Sequence, residues 1–173
     1  MDEEPLVRVM PRRQLYALRG FCPRIDLNIL NSIDDEGWFA TRSAIAGDVD
    51  SKEVRIAVVV VRREAAGPEV LADGDGRIAH GADIGPESEG LAALKAIAKS
   101  TAERVSGGVA HGVELAGYLN DDVDQALRHA FILVYRARVP AGTTAPAGLS
   151  WLPRSALPAG QDPLSTRVTE AIC

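Results

Sequence analysis

The run Arg55-Ile56-Ala57-Val58-Val59-Val60-Val61-Arg62 constrains this chain more than any other stretch of it. Apart from Ala57, every residue between the two arginines is β-branched and none is polar, so the pattern predicts a strand buried on both faces. The chain has 173 residues, 46% of them hydrophobic and 25% charged. That is enough apolar material for one core, and it is the composition of a globular chain, not of a disordered or fibrous one. Nineteen Lys and Arg stand against 24 Asp and Glu, a net charge of −5, and no basic stripe breaks that balance, so nucleic acid is not an expected partner. The apolar runs around Ile56–Val61 and Phe131–Tyr135 fall far short of the ~20 residues of a membrane helix. The acidic start Met1-Asp2-Glu3-Glu4 is unlike a signal peptide. The expectation is a cytoplasmic protein with no membrane partner. Cys22 and Cys173 are too few and too far apart for a disulfide framework or a zinc site, and are read as reduced thiols.

Other elements order themselves around that strand. Leu6–Met10 reads as an opening strand stopped by Pro11, and Ile25–Leu30 as an apolar patch of ambiguous structure before the turn-like Asp34-Asp35-Glu36-Gly37. Glu69–Ala72 is a hairpin return after Ala66-Gly67-Pro68. Ser88–Val105 carries Leu91, Leu94, Ala98, Thr101 and Val105 at spacings of three and four, which predicts a helix capped by Pro86–Glu89 and ended by Gly107-Gly108. Val113–Leu119 and Ala130–Ala137 have strand character on either side of an acidic loop, Asn120–Asp124. Five prolines between Pro140 and Pro163 predict an ordered loop around Trp151, with a short helix from about Leu164. Strands, a helix, more strands and a last helix give a mixed α+β sandwich in a single domain spanning 1–173.

From Gly81 the chain reads GADIGPESEGLAALKAIAKSTAERV, and Gly81 followed after five residues by Glu87 resembles the opening of the Nudix box, Gly-x5-Glu-x7-Arg-Glu-U-x-Glu-Glu-x-Gly-U, with U apolar. Further similarities run in order along the chain. Pro11-Arg12, Leu15-Tyr16, Gly20-Phe21, Arg42-Ser43 and Leu119-Asn120-Asp121-Asp122 with Arg128 resemble a branch of predicted phosphoesterases in that superfamily with a long N-terminal segment, here about 1–50. The resemblance implies a Nudix-like αβα sandwich, a mixed sheet flanked by helices. Counting on from Glu87 puts Lys95 and Ala96 at the Arg-Glu pair, Ile97 at the apolar place, and Lys99 and Ser100 at the Glu-Glu pair. Ala102 falls at the Gly and Glu103 at the last apolar position. Mg²⁺ prefers hard anionic oxygens in octahedral array, and Ala96, Lys99 and Ser100 supply none, so the expectation is a degenerate box without a metal site.

Lys99 invites two readings, an ammonium in the vacated metal position that holds an anionic ligand, or a solvated helix lysine. Arg42, Arg63 and Arg128 read as phosphate clamps or as ordinary strand-end arginines. Asp121, Asp122 and Asp124 read as a cation cluster or as a hydrogen-bonded turn. Glu87 and His80 are weak candidates for a general base, Glu87 doubling as a helix-start residue. Trp38 and Trp151 are expected in the core. Three functions follow. The first is a binder of a nucleotide-like or other anionic small molecule that lacks standard pyrophosphohydrolysis. The second is a diverged hydrolase or biosynthetic enzyme with a displaced or metal-free site, the only case in which Mg²⁺ would enter. The third is a structural role as a homodimer, favoured if the tail Pro140–Pro163 packs on a second subunit.

Overall fold

The computed structural model describes residues 3–16, 18–158 and 162–172, so the thiol of Cys173 lies outside the described residues. Its elements are β1 (Leu6–Pro11), β2 (Gly20–Cys22), α1 (Leu27–Glu36), β3 (Trp38–Thr41), α2 (Arg42–Ile45), β4 (Ser51–Glu64), β5 (Gly67–Asp73), β6 (His80–Asp83), α3 (Gly90–Ser106), β7 (His111–Asn120), β8 (Ala130–Val139), β9 (Leu149–Pro153) and α4 (Pro163–Arg167). The strands form one mixed sheet in the order β2-β7-β8-β4-β1-β3. The long strand β4 pairs in parallel with β8 from Glu53↔Ala130 to Arg62↔Val139. Its other edge takes β1, then β6, then β5 along its length, and β9 joins the outer side of β5.

The β-branched run sits at the centre of this sheet and is buried on both faces, as its pattern predicts. Ile56, Val58 and Val60 face α1 and α3, among Leu94, Ala98, Val105, Tyr118 and Leu133. Ala57, Val59 and Val61 face the opposite way, toward Ile132, Val134 and the C-terminal Val168 and Ala171. Each such valine or isoleucine contributes about 1.5–3 kcal/mol relative to an exposed position, so a polar residue anywhere in the run would be costly.

Helix α3 buries Leu94, Ala98, Thr101, Ala102 and Val105 and ends on Gly107, in the left-handed conformation at φ 75°. The amides of Gly107 and Gly108 both reach the Glu103 carbonyl, which closes the helix end. The start differs from expectation. Glu89 is the capping residue but makes no side-chain cap bond, and Leu91, at the head of the stripe, is 37% exposed. The ambiguous patch before Asp34 resolves as α1, capped by Asp26, whose side chain accepts from the Asn28 amide at 2.9 Å, so Asp34–Glu36 form the last helical turn. The tail from Pro140 to Pro163 is not only loop, since Leu149–Pro153 pairs with β5 as β9. Leu149 and Trp151 alternate onto the core, and the prolines fall outside the strand or at its last position, where they cost no ladder bond. Trp151 therefore packs as expected, whereas Trp38 on the edge strand β3 is 40% exposed. The closing helix is seated as predicted, with the Ser165 hydroxyl accepting from the amides of Ile78 and Ala79 at 3.0 and 3.3 Å.

Arg8 and Gly37 fasten α1 to the sheet. The Arg8 guanidinium donates to the Ile33 carbonyl at 3.1 and 2.6 Å and lies 4.8 Å above the Phe39 ring, so a cation meets the carbonyl end of a helix. Gly37 turns the chain directly into β3, and a Cβ there would stand 2.2 Å from the Ile33 carbonyl oxygen and 2.8 Å from that of Val9. Both are backbone atoms and cannot swing aside. Gly37→Ala is expected to cost about 2–3 kcal/mol in urea unfolding, and an unchanged midpoint would show that α1 is not wedged against β1.

Candidate functional site

The exposed face of α3 carries Lys95, Ala96, Lys99 and Ser100, all solvent-accessible and at helical spacing that sets 96, 99 and 100 side by side. Lys99 has 64% of its side chain exposed and pairs with Glu103, one turn on, at 3.8 Å, which is the placement of a solvated helix lysine. Glu87 lies in the turn before the helix and is exposed, with its carboxylate folded over Gly85. Gly81 and His80 are neighbours in β6. The His80 Nε2 lies 3.2 Å from the Leu71 carbonyl oxygen, and burial pushes its pKa down, so the ring acts as a neutral link between β6 and β5. The Cys22 thiol in β2 donates to the Arg24 carbonyl at 3.7 Å.

The acidic loop holds protein cations. Asp121 is buried and accepts from the amides of Val123 and Asp124, both at 3.0 Å, and from Arg167 Nε at 2.8 Å. Asp122 pairs with Arg12 and, at 2.7 Å, with Lys52. Lys52 is fully buried and also donates to Asn120, whose amide nitrogen reaches the Leu15 and Leu18 carbonyls at 3.3 and 2.9 Å. This network was not anticipated. Its only signal was a lysine four places before Ile56, at a register that puts it on the same strand face and turns it toward the core. Among the described residues no group of three His, Cys, Asp or Glu side chains is placed to hold a metal ion.

The candidate arginines separate. Arg128 on the acidic loop donates to His129 at 3.0 Å. Arg42 grips the buried carboxylate of Glu53 at 2.7–3.2 Å and Asp83 at 2.7 Å, and Arg55 holds the same Glu53 at 2.6 Å. Arg42, Glu53, Arg55 and His129 line a small cleft of about 190 Å³, in which Glu53 already fills the role an anion would take.

Arg63 lies elsewhere, in a cavity of about 570 Å³ at the C-terminal ends of β4 and β8, with Arg62, Arg136, Arg138 and His111. Volumes of this order suit a small organic ligand. Arg136 and Arg138 both donate to Glu114 Oε1, at 2.5 and 2.7 Å, and the Arg136 hydrogen bond holds that carboxyl below the usual range. Neither arginine was singled out from sequence, although the alternation Tyr135-Arg136-Ala137-Arg138-Val139 places both on one strand face.

Comparison with known proteins bears on the fold. No protein-family model and no curated protein matches the chain. Among solved structures, the chain is similar to the crystal structure of Tm1382, a putative Nudix hydrolase, with a TM-score of 0.61 over 85% of this chain and 83% of that one, at 17% identity. The fold is thus Nudix-like, a large mixed sheet flanked by helices. No helix among the described residues is long and apolar enough to cross a membrane.

The Lys52–Asp122 pair makes stability depend on acid. Burial alone would raise the Asp122 pKa, but hydrogen bonds from Lys52 and Arg12 outweigh it and hold the carboxyl below its ordinary value. A carboxyl depressed on folding stabilises the protein above its unfolded pKa, about 4, and that contribution is lost as pH falls through the folded value. Asp122→Asn is expected to lower stability at pH 7 and to flatten the loss between about pH 5 and 3. Urea titrations at stepped pH with the same slope for both proteins would remove the pair from the acid response.

Proposed function

We propose that this is a Nudix-fold protein that binds a nucleotide-like or other anionic small molecule and does not carry out the metal-dependent pyrophosphohydrolysis of a standard Nudix enzyme. The fold supplies a hydrolase-type scaffold. What carries the reading is the outward face of α3, where, in the register set by Gly81 and Glu87, a methyl (Ala96), an ammonium (Lys99) and a hydroxyl (Ser100) occupy the three box positions that would bear the glutamate ligands. Divalent Mg²⁺ needs several hard oxygens, best anionic, and Lys99 adds positive charge where it would have to bind. The residues present do not fit the ion.

The acidic loop gives a displaced site little support. Asp121 and Asp122 spend their oxygens on Arg167, Lys52, Arg12 and two amides. Their carboxyls sit below the ordinary range for that reason, Asp121 chiefly through the Asp124 amide. A metal there would first have to displace those partners.

Two measurements test the proposal. Nucleoside diphosphate derivatives, sugar nucleotides and phosphorylated metabolites, screened by thermal shift with and without Mg²⁺ or Mn²⁺, are expected to include ligands that stabilise without metal and yield no product. Metal-dependent turnover would overturn the reading. The triple variant Ala96→Glu, Lys99→Glu, Ser100→Glu changes only exposed positions and is expected to gain divalent-metal affinity by calorimetry. A folded triple variant that binds neither Mg²⁺ nor Mn²⁺ would refute the register on which the degenerate box rests.

A further inference from the structure

We infer that the open edge of β2 takes a short, extended, acidic segment of another protein, which adds to the sheet as a strand and sets carboxylates against Arg19 and Arg24. The inference concerns a protein partner at the sheet edge and stands apart from the small molecule proposed above.

Strand β2 ends the sheet on its side. Its register with β7 runs from Gly20↔Asn120 to Cys22↔Tyr118, and among the described residues no strand pairs with its other side. Along a ladder, alternate residues turn their N–H and C=O groups to opposite sides, so this edge offers main-chain donors and acceptors to an incoming chain. The edge is also held in place. Phe21 packs against the core beneath it. Asn120 donates to the Leu15 and Leu18 carbonyls just before the strand, and just after it the Tyr118 hydroxyl accepts from the Asp26 amide at 3.1 Å and donates to the Asp26 carbonyl at 2.9 Å. An edge fixed beforehand costs little to order on binding.

Charge decides what fits there. Between Pro11 and Ile25 the chain carries four arginines and no acid, against a net charge of −5 overall. Two of the four are engaged, Arg12 by Asp122 and Arg13 by Glu36. Arg19 and Arg24 bracket β2, are exposed, and make no side-chain hydrogen bond or ion pair among the described residues. The carboxylates closest along the chain and the ladder are taken elsewhere. Asp121 holds Arg167, Asp122 holds Lys52 and Arg12, and Asp26 caps α1 through the Asn28 amide. A three-residue ladder with a guanidinium beyond each end disfavours a second copy of itself, because antiparallel pairing of two such edges brings Arg19 of one chain toward Arg24 of the other. An acidic strand turns the same two charges into attractions, so one pair of residues selects against self and for the partner. Tyr16 and Ile25, 68% and 41% exposed, add apolar surface close in sequence to each arginine. An anionic bilayer fits less well, since it has no use for the main-chain groups and must approach the rest of an acidic chain.

The test uses the full chain and the peptide Ac-Asp-Glu-Val-Thr-Val-Glu-Asp-amide, with affinity read by calorimetry and the backbone amide signals of Gly20, Phe21 and Cys22 followed by NMR. The peptide is expected to bind at least about tenfold more tightly than its analogue with lysine at the four acidic places, and at least about tenfold more tightly than the same peptide N-methylated at its three central amides. The β2 amide signals should shift on binding. The double variant Arg19→Glu, Arg24→Glu changes only exposed side chains and is expected to keep its melting temperature, to lose the acidic peptide by at least about tenfold, and to gain the lysine peptide. Absence of binding at millimolar peptide, or binding that the double variant leaves unchanged, overturns the site. Equal affinity for the N-methylated peptide overturns strand addition. Sedimentation with vesicles of phosphatidylserine and phosphatidylcholine that requires both arginines, in a protein that ignores the peptide, would assign the surface to a membrane and overturn the protein partner.

Discussion

The parallel pairing of β4 with β8 is the constraint from which the remaining structure follows. Ten register pairs, from Glu53↔Ala130 to Arg62↔Val139, lock two strands whose middle residues are apolar on both faces. A parallel pair cannot be closed by a hairpin and needs a long crossover. Here the crossover contains α3, and the helix covers one face of the pair. The opposite face remains apolar, and the chain covers it with its last residues, tied down where Ser165 accepts from the amides of Ile78 and Ala79. Remove the β-branched run and neither layer has anything to pack on.

The same pairing explains why polar chemistry collects at the two ends of β4. Along the middle of the strand a charge would be stranded between two layers. At the ends the layers stop, and charged groups return. At the start, Lys52 and Glu53 point to opposite faces. Lys52 is satisfied by Asn120 and Asp122, and Glu53 by Arg42 and Arg55. Burial pulls the Lys52 ammonium toward its neutral form and the Asp122 contact opposes that pull, so each group is held by the other. At the far end Glu64 and Glu69 hold Arg62, Glu114 holds Arg136 and Arg138, and a cavity opens beside them.

Much of this was legible in the sequence because period and β-branching are local. The central strand, helix α3 and its glycine stop, the opening strand and the closing helix all read out from residues close to one another. What escaped depends on pairing. Strand β9 hides among prolines because its identity comes from the edge of β5, not from its own pattern. α1 was ambiguous because its helical stripe is short, and its end is fixed by Arg8 and Gly37 acting across the sheet. Arg63 was legible as a candidate anion ligand, but its companions Arg136 and Arg138 lie more than seventy residues away, and only the parallel register makes them neighbours. Lys99 was the reverse, placed by spacing alone, and the helix turns it toward solvent and Glu103.

That contrast bears on how scaffold and chemistry come apart in such a helix. Leu94, Ala98, Thr101, Ala102 and Val105 answer to the sheet, and changing them alters packing that Tyr118 and Leu133 depend on. Lys95, Ala96, Lys99 and Ser100 are exposed on the outer face, with Lys99 paired to Glu103. A helix can therefore exchange carboxylates for lysine, alanine and serine on its outer face at little cost to stability, because surface substitutions shift it by about ±0.5 kcal/mol. The fold is held by the inner face of the helix, and the outer face can vary in chemistry without disturbing it. Groups held by the sheet answer to register instead, which gathers Arg63, Arg136 and Arg138 at the strand ends.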